Sequence, residues 1–189
     1  MLRPMSVKGT KRATLAVTFV LAVGAAFAAL VARGPEPGGI EDAYAWVFGK
    51  PDLGPVDFSK LRRRVTPNDA LACRPEICRD APADFVPPVF PVDGERLRAI
   101  VAAVATSEPR TDLIFSARWD TQDRYLARSR VMRFPDTIDA LVVGQREGHS
   151  TVALYSRSQI GLSDFGVNRS RISRWLDRIG EAAAQESRP

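Results

Sequence analysis

Few residues in this 189-residue chain combine the types and spacing that chemistry requires. Ser163 and Asp164 are adjacent, and a hydrolase using them is the catalytic reading the sequence allows. No histidine or lysine base accompanies them, however. A Ser-Asp pair between Gly161 and Gly166 reads first as turn chemistry, with Asp164 accepting from free backbone N–H groups. His149 is the only histidine and falls in the polar turn Glu147-Gly148-His149. GxSxG, HExxH, P-loop and GxGxxG patterns are absent. The two cysteines, Cys73 and Cys78, enclose Arg-Pro-Glu-Ile. They are too few for a structural zinc site and are not spaced as Cys-x-x-Cys. In an exported protein such a pair is expected to form a disulfide; two thiols are the alternative. No catalytic residue, metal or cofactor is therefore expected, and the chain reads as a non-enzyme.

Anion binding is the other chemistry in view. If the apolar residues of the strands face a core, then Arg118, Arg128, Arg130, Tyr155 and Arg157 point to the opposite side. Arginines on an open sheet face suit an anion such as a lipid headgroup. A solvated face neutralised by nearby acids is the plainer reading. A helix start beside Arg169 and Arg171 is a further candidate for anion binding, opposed by Asp164.

The elements that must position these residues follow from periodicity. Asp93 is a good N-cap for a helix over 96–106 carrying Leu97, Ile100, Val101 and Val104. Four strand-like runs follow, at 113–119, 125–134, 138–145 and 150–158, joined by short polar turns that favour an antiparallel meander. In the first, Leu113, Phe115, Ala117 and Trp119 share a face. In the last, Val152, Leu154, Ser156 and Ser158 alternate with Thr151, Ala153, Tyr155 and Arg157. Ile172, Trp175, Leu176 and Ile179 mark a final helix, which Ser163 and Asn168 can cap and Gly180 is placed to end; 181–189 are expected to fray. The expected fold is a two-layer α+β domain over 67–189, a four-stranded antiparallel sheet flanked by two helices on one face in the order α-β-β-β-β-α. Before it, 34–66 forms a connecting region with short helices over 40–48 and, capped by Asp57, 58–64.

Ala13–Ala32 is an uncharged run long enough, as a helix, to cross a bilayer. Arg3, Lys8, Lys11 and Arg12 precede it, so the expected topology is a single-pass inner-membrane anchor over 1–33 with the N-terminus inside and the C-terminal domain in the periplasm. Cleavage at Ala26-Phe27-Ala28 would instead release a periplasmic protein. Tyr44, Trp46 and Phe48 follow closely enough to rest in the membrane interface or to dock on the domain. The net charge of +5 is not a nucleic-acid signal. Five of the 27 basic residues lie in 1–33, where no acid occurs, and the remaining 22 are matched by 22 acidic residues.

The string Tyr155–Arg171, YSRSQIGLSDFGVNRSR, resembles the signature of the domain-of-unknown-function 1499 family, approximately Arg-Ser-x-Ser-Arg-x-Gly-x-Ser-Asp-x-Gly-x-Asn-Arg. Ser156, Ser158, Gly161, Ser163, Asp164, Gly166, Asn168 and Arg169 match it. Tyr155 and Gln159 replace two family arginines, and Arg157 occupies a normally small position. The run RYLARSRVMRFPDTIDALV is similar to the family's middle region, and Cys78 to its N-terminal cysteine element. The resemblance spans roughly 68–180 and implies a bacterial or plastid protein, often exported or membrane-associated, with no established activity. The expected function is a non-catalytic binding or scaffolding module of the cell envelope, with a protein or an anionic lipid as partner.

Overall fold

The computed structural model describes residues 7–117 and 121–187, with side chains from residue 13 onward. Its contacts divide the chain into two compact units, Met1–Gly49 with Val131–Arg133, and Lys50–Arg130 with Phe134–Pro189.

The first unit contains helices α1 (Val7–Arg33) and α2 (Ile40–Phe48). Within α1, Ala13–Arg33 is a 21-residue stretch with mean hydropathy 2.5 in its most apolar window, none of it buried. It is long and apolar enough to cross a membrane. α2 forms as its periodicity predicts. Ile40 is buried, the Tyr44 and Phe48 rings lie 6.3 Å apart, and Trp46 is 88% exposed. Glu41 pairs with Arg133 at 2.6 Å.

The second unit is α+β. Its antiparallel sheet has five strands in the order β1-β5-β4-β3-β2: β1 (Asp69–Ala72), β2 (Thr111–Ser116), β3 (Gln122–Arg128), β4 (Pro135–Arg146) and β5 (His149–Ser158). α3 (Gly94–Ser107) and α4 (Val167–Glu186) cover one face. Ala70, Tyr125, Ile138, Ala140, Val152 and Leu154 meet Leu97, Val101, Val104, Ile172, Trp175 and Ile179 there, and the Trp175 indole stands edge-on to Tyr125 at 5.8 Å. Asp93 caps α3 by accepting from the Arg96 N–H, as expected.

Several expectations need correction. The sheet has five strands rather than four, because Asp69–Ala72 pairs with β5 from Asp69↔Arg157 to Ala72↔Leu154. The sequence DALA has no β-branched or aromatic residue to announce a strand. β3 stops at Arg128, and a turn closed by Ser129 and Phe134 carries Arg130, so β4 begins at Pro135. Leu113 and Phe115 are not core residues. β2 is an edge strand with a bulge at Ile114, and both side chains remain partly exposed, Phe115 under the Arg124 guanidinium. The expected positions of Arg118 and Trp119 lie outside the described residues. The Asp57 cap does form, but on a short 3-10 turn, Phe58–Lys60. Gly180 does not end α4. The good helix formers of 181–185 carry it on to Glu186, with Ala183 buried.

The second face of the sheet is not open. A strap from Lys50 to Thr66 and the Cys73–Cys78 loop lie across it, burying Phe58, Leu61, Leu71, Ala81, Ala153 and Tyr155 as a second core. The strap is held by the Gln159 side chain on the Lys50 carbonyl, Thr137 on the Leu53 N–H, Gln122 on the Val56 carbonyl, and an Arg124–Asp52 ion pair.

Candidate functional site

The residues of the expected signature do come together, at the junction of β5 and α4, and three of the eight, Ser156, Ser158 and Asn168, are buried. Ser156 and Ser158 face the helices because they continue the Val152, Leu154 alternation. Asn168, the second residue of α4, is fully buried against them. Its Oδ1 accepts from Ser156 Oγ at 2.5 Å and Arg171 Nη1 at 2.6 Å, and its Nδ2 donates to Ser158 Oγ at 2.9 Å and the Asn68 carbonyl at 3.2 Å. Arg171 also reaches Asp136 at 2.7 Å, with both side chains under 10% exposed. Asn68 Nδ2 ties Gly161 to the network through its carbonyl at 2.8 Å. Four elements thus converge on a polar core in which each of these groups has a partner, the condition under which buried polarity is tolerated.

Above this network the turn 159–166 crosses from strand to helix. Gly161 (φ 98°) and Gly166 (φ 79°) take left-handed conformations that glycine adopts without a Cβ penalty. Ser163 Oγ accepts from the Phe165 N–H, and Asp164 accepts from the N–H groups of Gly166 and Asn168. Both side chains of the suggested hydrolase pair thereby accept from backbone N–H groups of the turn. Gly166 occupies the N-cap position, so the expected caps by Ser163 and Asn168 are supplied by Asp164 instead. The helix start offers no anion site of the expected kind. Asp164 holds its N–H groups, Arg169 pairs with Asp84 and stacks over Phe85, and Arg171 is buried with Asp136.

The arginine-bearing face also differs from expectation. Tyr155 and Arg157 lie beneath the strap, 2% and 8% exposed. Tyr155 donates to Asp69, which Arg63 also holds at 2.6 Å while reaching Asp84 at 2.8 Å. Burial pushes the Asp69 carboxyl up, but the Arg63 and Tyr155 hydrogen bonds outweigh it and hold it below the usual range. Arg157 bonds the Gly54 carbonyl and the fully buried Asp139, at 2.6 Å. Burial pushes Asp139 up to about 6 against the pull of Arg157. Arg128 pairs with Asp112 at 2.6 Å, and Arg130 stands exposed in the β3–β4 turn. Arg118 lies outside the described residues. Among the described residues, Arg128, Arg130 and Arg157 do not lie together on one open sheet face.

Cys73 and Cys78 are joined as a disulfide, their Cα atoms 6.1 Å apart. No group of three or more metal-ligating side chains occurs among the described residues. The network members Asn68, Asp69, Asp136 and Asp139 escape sequence reading. Asn68-Asp69 and Pro135-Asp136 carry turn composition, and their partners are remote in the chain.

A family model described as protein of unknown function (DUF1499) matches residues 57–179. No curated protein matches the chain. The crystal structure of TTHA0849 from Thermus thermophilus is similar at 10% identity over 64% of this chain and 99% of that one, with a TM-score of 0.32, too low to carry an argument.

Proposed function

We propose that the chain, which belongs to the DUF1499 family, is a non-catalytic binding or scaffolding module of the cell envelope, anchored by α1 with its folded unit outside the cytoplasm. The observation that carries this reading is the state of its polar side chains. Asp136 with Arg171, Asp139 with Arg157, Asp123 with Arg98 and Asp69 with Arg63 are matched within the fold, and Ser163 and Asp164 are occupied by backbone. A reacting centre needs a nucleophile or base with valence left for substrate. The apolar, base-flanked helix and the disulfide support the location, since disulfides persist in oxidising compartments. Paired reporter fusions after Pro189 test it. A reporter that works only outside the cytoplasm should be active, and activity confined to the cytoplasmic reporter would overturn the topology.

A further inference from the structure

The turn above the buried network is unusual in what it exposes. Leu162, Phe165 and Val167 are 79%, 96% and 50% exposed within six residues. Single exposed hydrophobes are ordinary, but this group sits on a backbone held against its preference. Phe165 is left-handed (φ 53°), a conformation bulky residues avoid, while Ser163, Asp164, Asn168 and Asn68 pin the turn from both sides. The structure thus fixes an apolar tip in water rather than tucking it away. Val65, fully exposed, projects from the chain entering β1 at the same end of the sheet, where Asn68 bonds the Gly161 carbonyl.

Strand register identifies the rest of that end. Asp69, Ser158, Pro135, Arg128 and Thr111 terminate their strands there, so the preceding Arg110 and the turn residue Arg130, both exposed, lie at it too. Nearby acids are engaged: Asp112 by Arg128, Glu108 by Arg174 and Arg178, Asp164 by backbone. Exposed apolar tips beside unneutralised guanidinium groups suit an anionic lipid surface. Lys50, where the second unit begins, is also at this end, held by Gln159. Only 34–49 separate it from α1, and because α2 is helical their reach is about 40 Å at most.

We propose that the β5–α4 turn is a membrane-inserting prong. Leu162, Phe165 and Val167, with Val65 beside them, enter the interfacial layer of the bilayer that α1 spans, and Arg110 and Arg130 meet its anionic headgroups. A fluid interface accepts side chains from separate loops without a matching concave surface. The proposal rests on the anchored reading above and adds how the folded unit meets the membrane.

The test uses the full chain in vesicles of phosphatidylcholine with and without phosphatidylglycerol. Phe165 is replaced by the photo-crosslinking p-benzoylphenylalanine, with the same replacement of Glu147, in the turn at the far end of β4 and β5, as control. Irradiation should give phospholipid adducts at position 165 at least tenfold above position 147. Phosphatidylglycerol should raise the yield, and Arg110→Glu/Arg130→Glu should lower it at least threefold. Yields equal to the control overturn the proposal. So do adducts confined to a protein when the experiment is repeated in native membranes. Alkaline carbonate treatment separates the two readings. Release of the chain refutes the anchor, whereas a retained chain without lipid adducts at 165 refutes the prong alone.

Discussion

Asn168→Ala is the most direct test of the idea that the signature residues are structural. The side chain is fully buried and makes four hydrogen bonds, to Ser156, Ser158, Arg171 and the Asn68 carbonyl. At about 1 kcal/mol net per bond, truncation is expected to cost about 4 kcal/mol. That is a large share of the 5–15 kcal/mol, roughly, that holds a domain together. For a unit of this size the midpoint should fall by about 15 °C. Near-ultraviolet circular dichroism of the full chain in detergent micelles, on heating and in urea, reads both quantities. Asn168→Asp keeps the acceptor but sets a carboxylate against the Asn68 carbonyl, and should fall between wild type and alanine. Arg169→Ala is the internal reference. It matches the signature equally well, yet its pair with Asp84 is more than half exposed on the arginine side and should be worth about 1 kcal/mol or less. An Asn168→Ala loss no larger than that of Arg169→Ala would refute the reasoning.

Two further outcomes follow from the second face of the sheet. Burial raises Asp139 to about 6, so its contribution to stability is complete below the ordinary carboxylate pKa near 4 and is lost as pH rises through 6. Asp139→Asn removes that dependence. Its stability relative to wild type should therefore climb by about 3 kcal/mol between pH 4 and 7, and a flat difference in urea midpoints would contradict the assignment. The Cys73–Cys78 bond predicts no maleimide labelling of the unfolded chain without reductant and two labels with it; Cys73→Ser/Cys78→Ser should cost about 2 kcal/mol for so short a loop.

What was legible in the sequence was local. The apolar stripe of α3 with its Asp93 cap, the start of α4 and the alternation of β5 each declare themselves within a dozen residues. The pairing of the two cysteines was the expectation for an exported chain, and the disulfide is present. What stayed hidden was non-local. The alternation along β5 shows that Tyr155 and Arg157 oppose Leu154, but not that a strap about a hundred residues earlier lies on them, because the strap is irregular and has no period to read. Sequence reading offered Arg171 as a cation at the helix start. Its burial depends on Asp136, a strand away, whose neighbour Pro135 imitates a turn. β1 exists because β5 offers it an edge, not because Asp-Ala-Leu-Ala favours extension.

The strap also has a mechanical consequence. Lys50 is where the chain enters the second unit from the N-terminal helices. From there the attachments are met in sequence: Gln159 at Lys50, Arg124 at Asp52, Thr137 at Leu53, Arg157 at Gly54 and Gln122 at Val56. A load entering at that end peels these contacts one after another instead of shearing the strand ladder all at once. The strap therefore acts as a fuse. Peeling it back as far as Gly54 frees Arg157 of one of its two partners and uncovers its pair with Asp139.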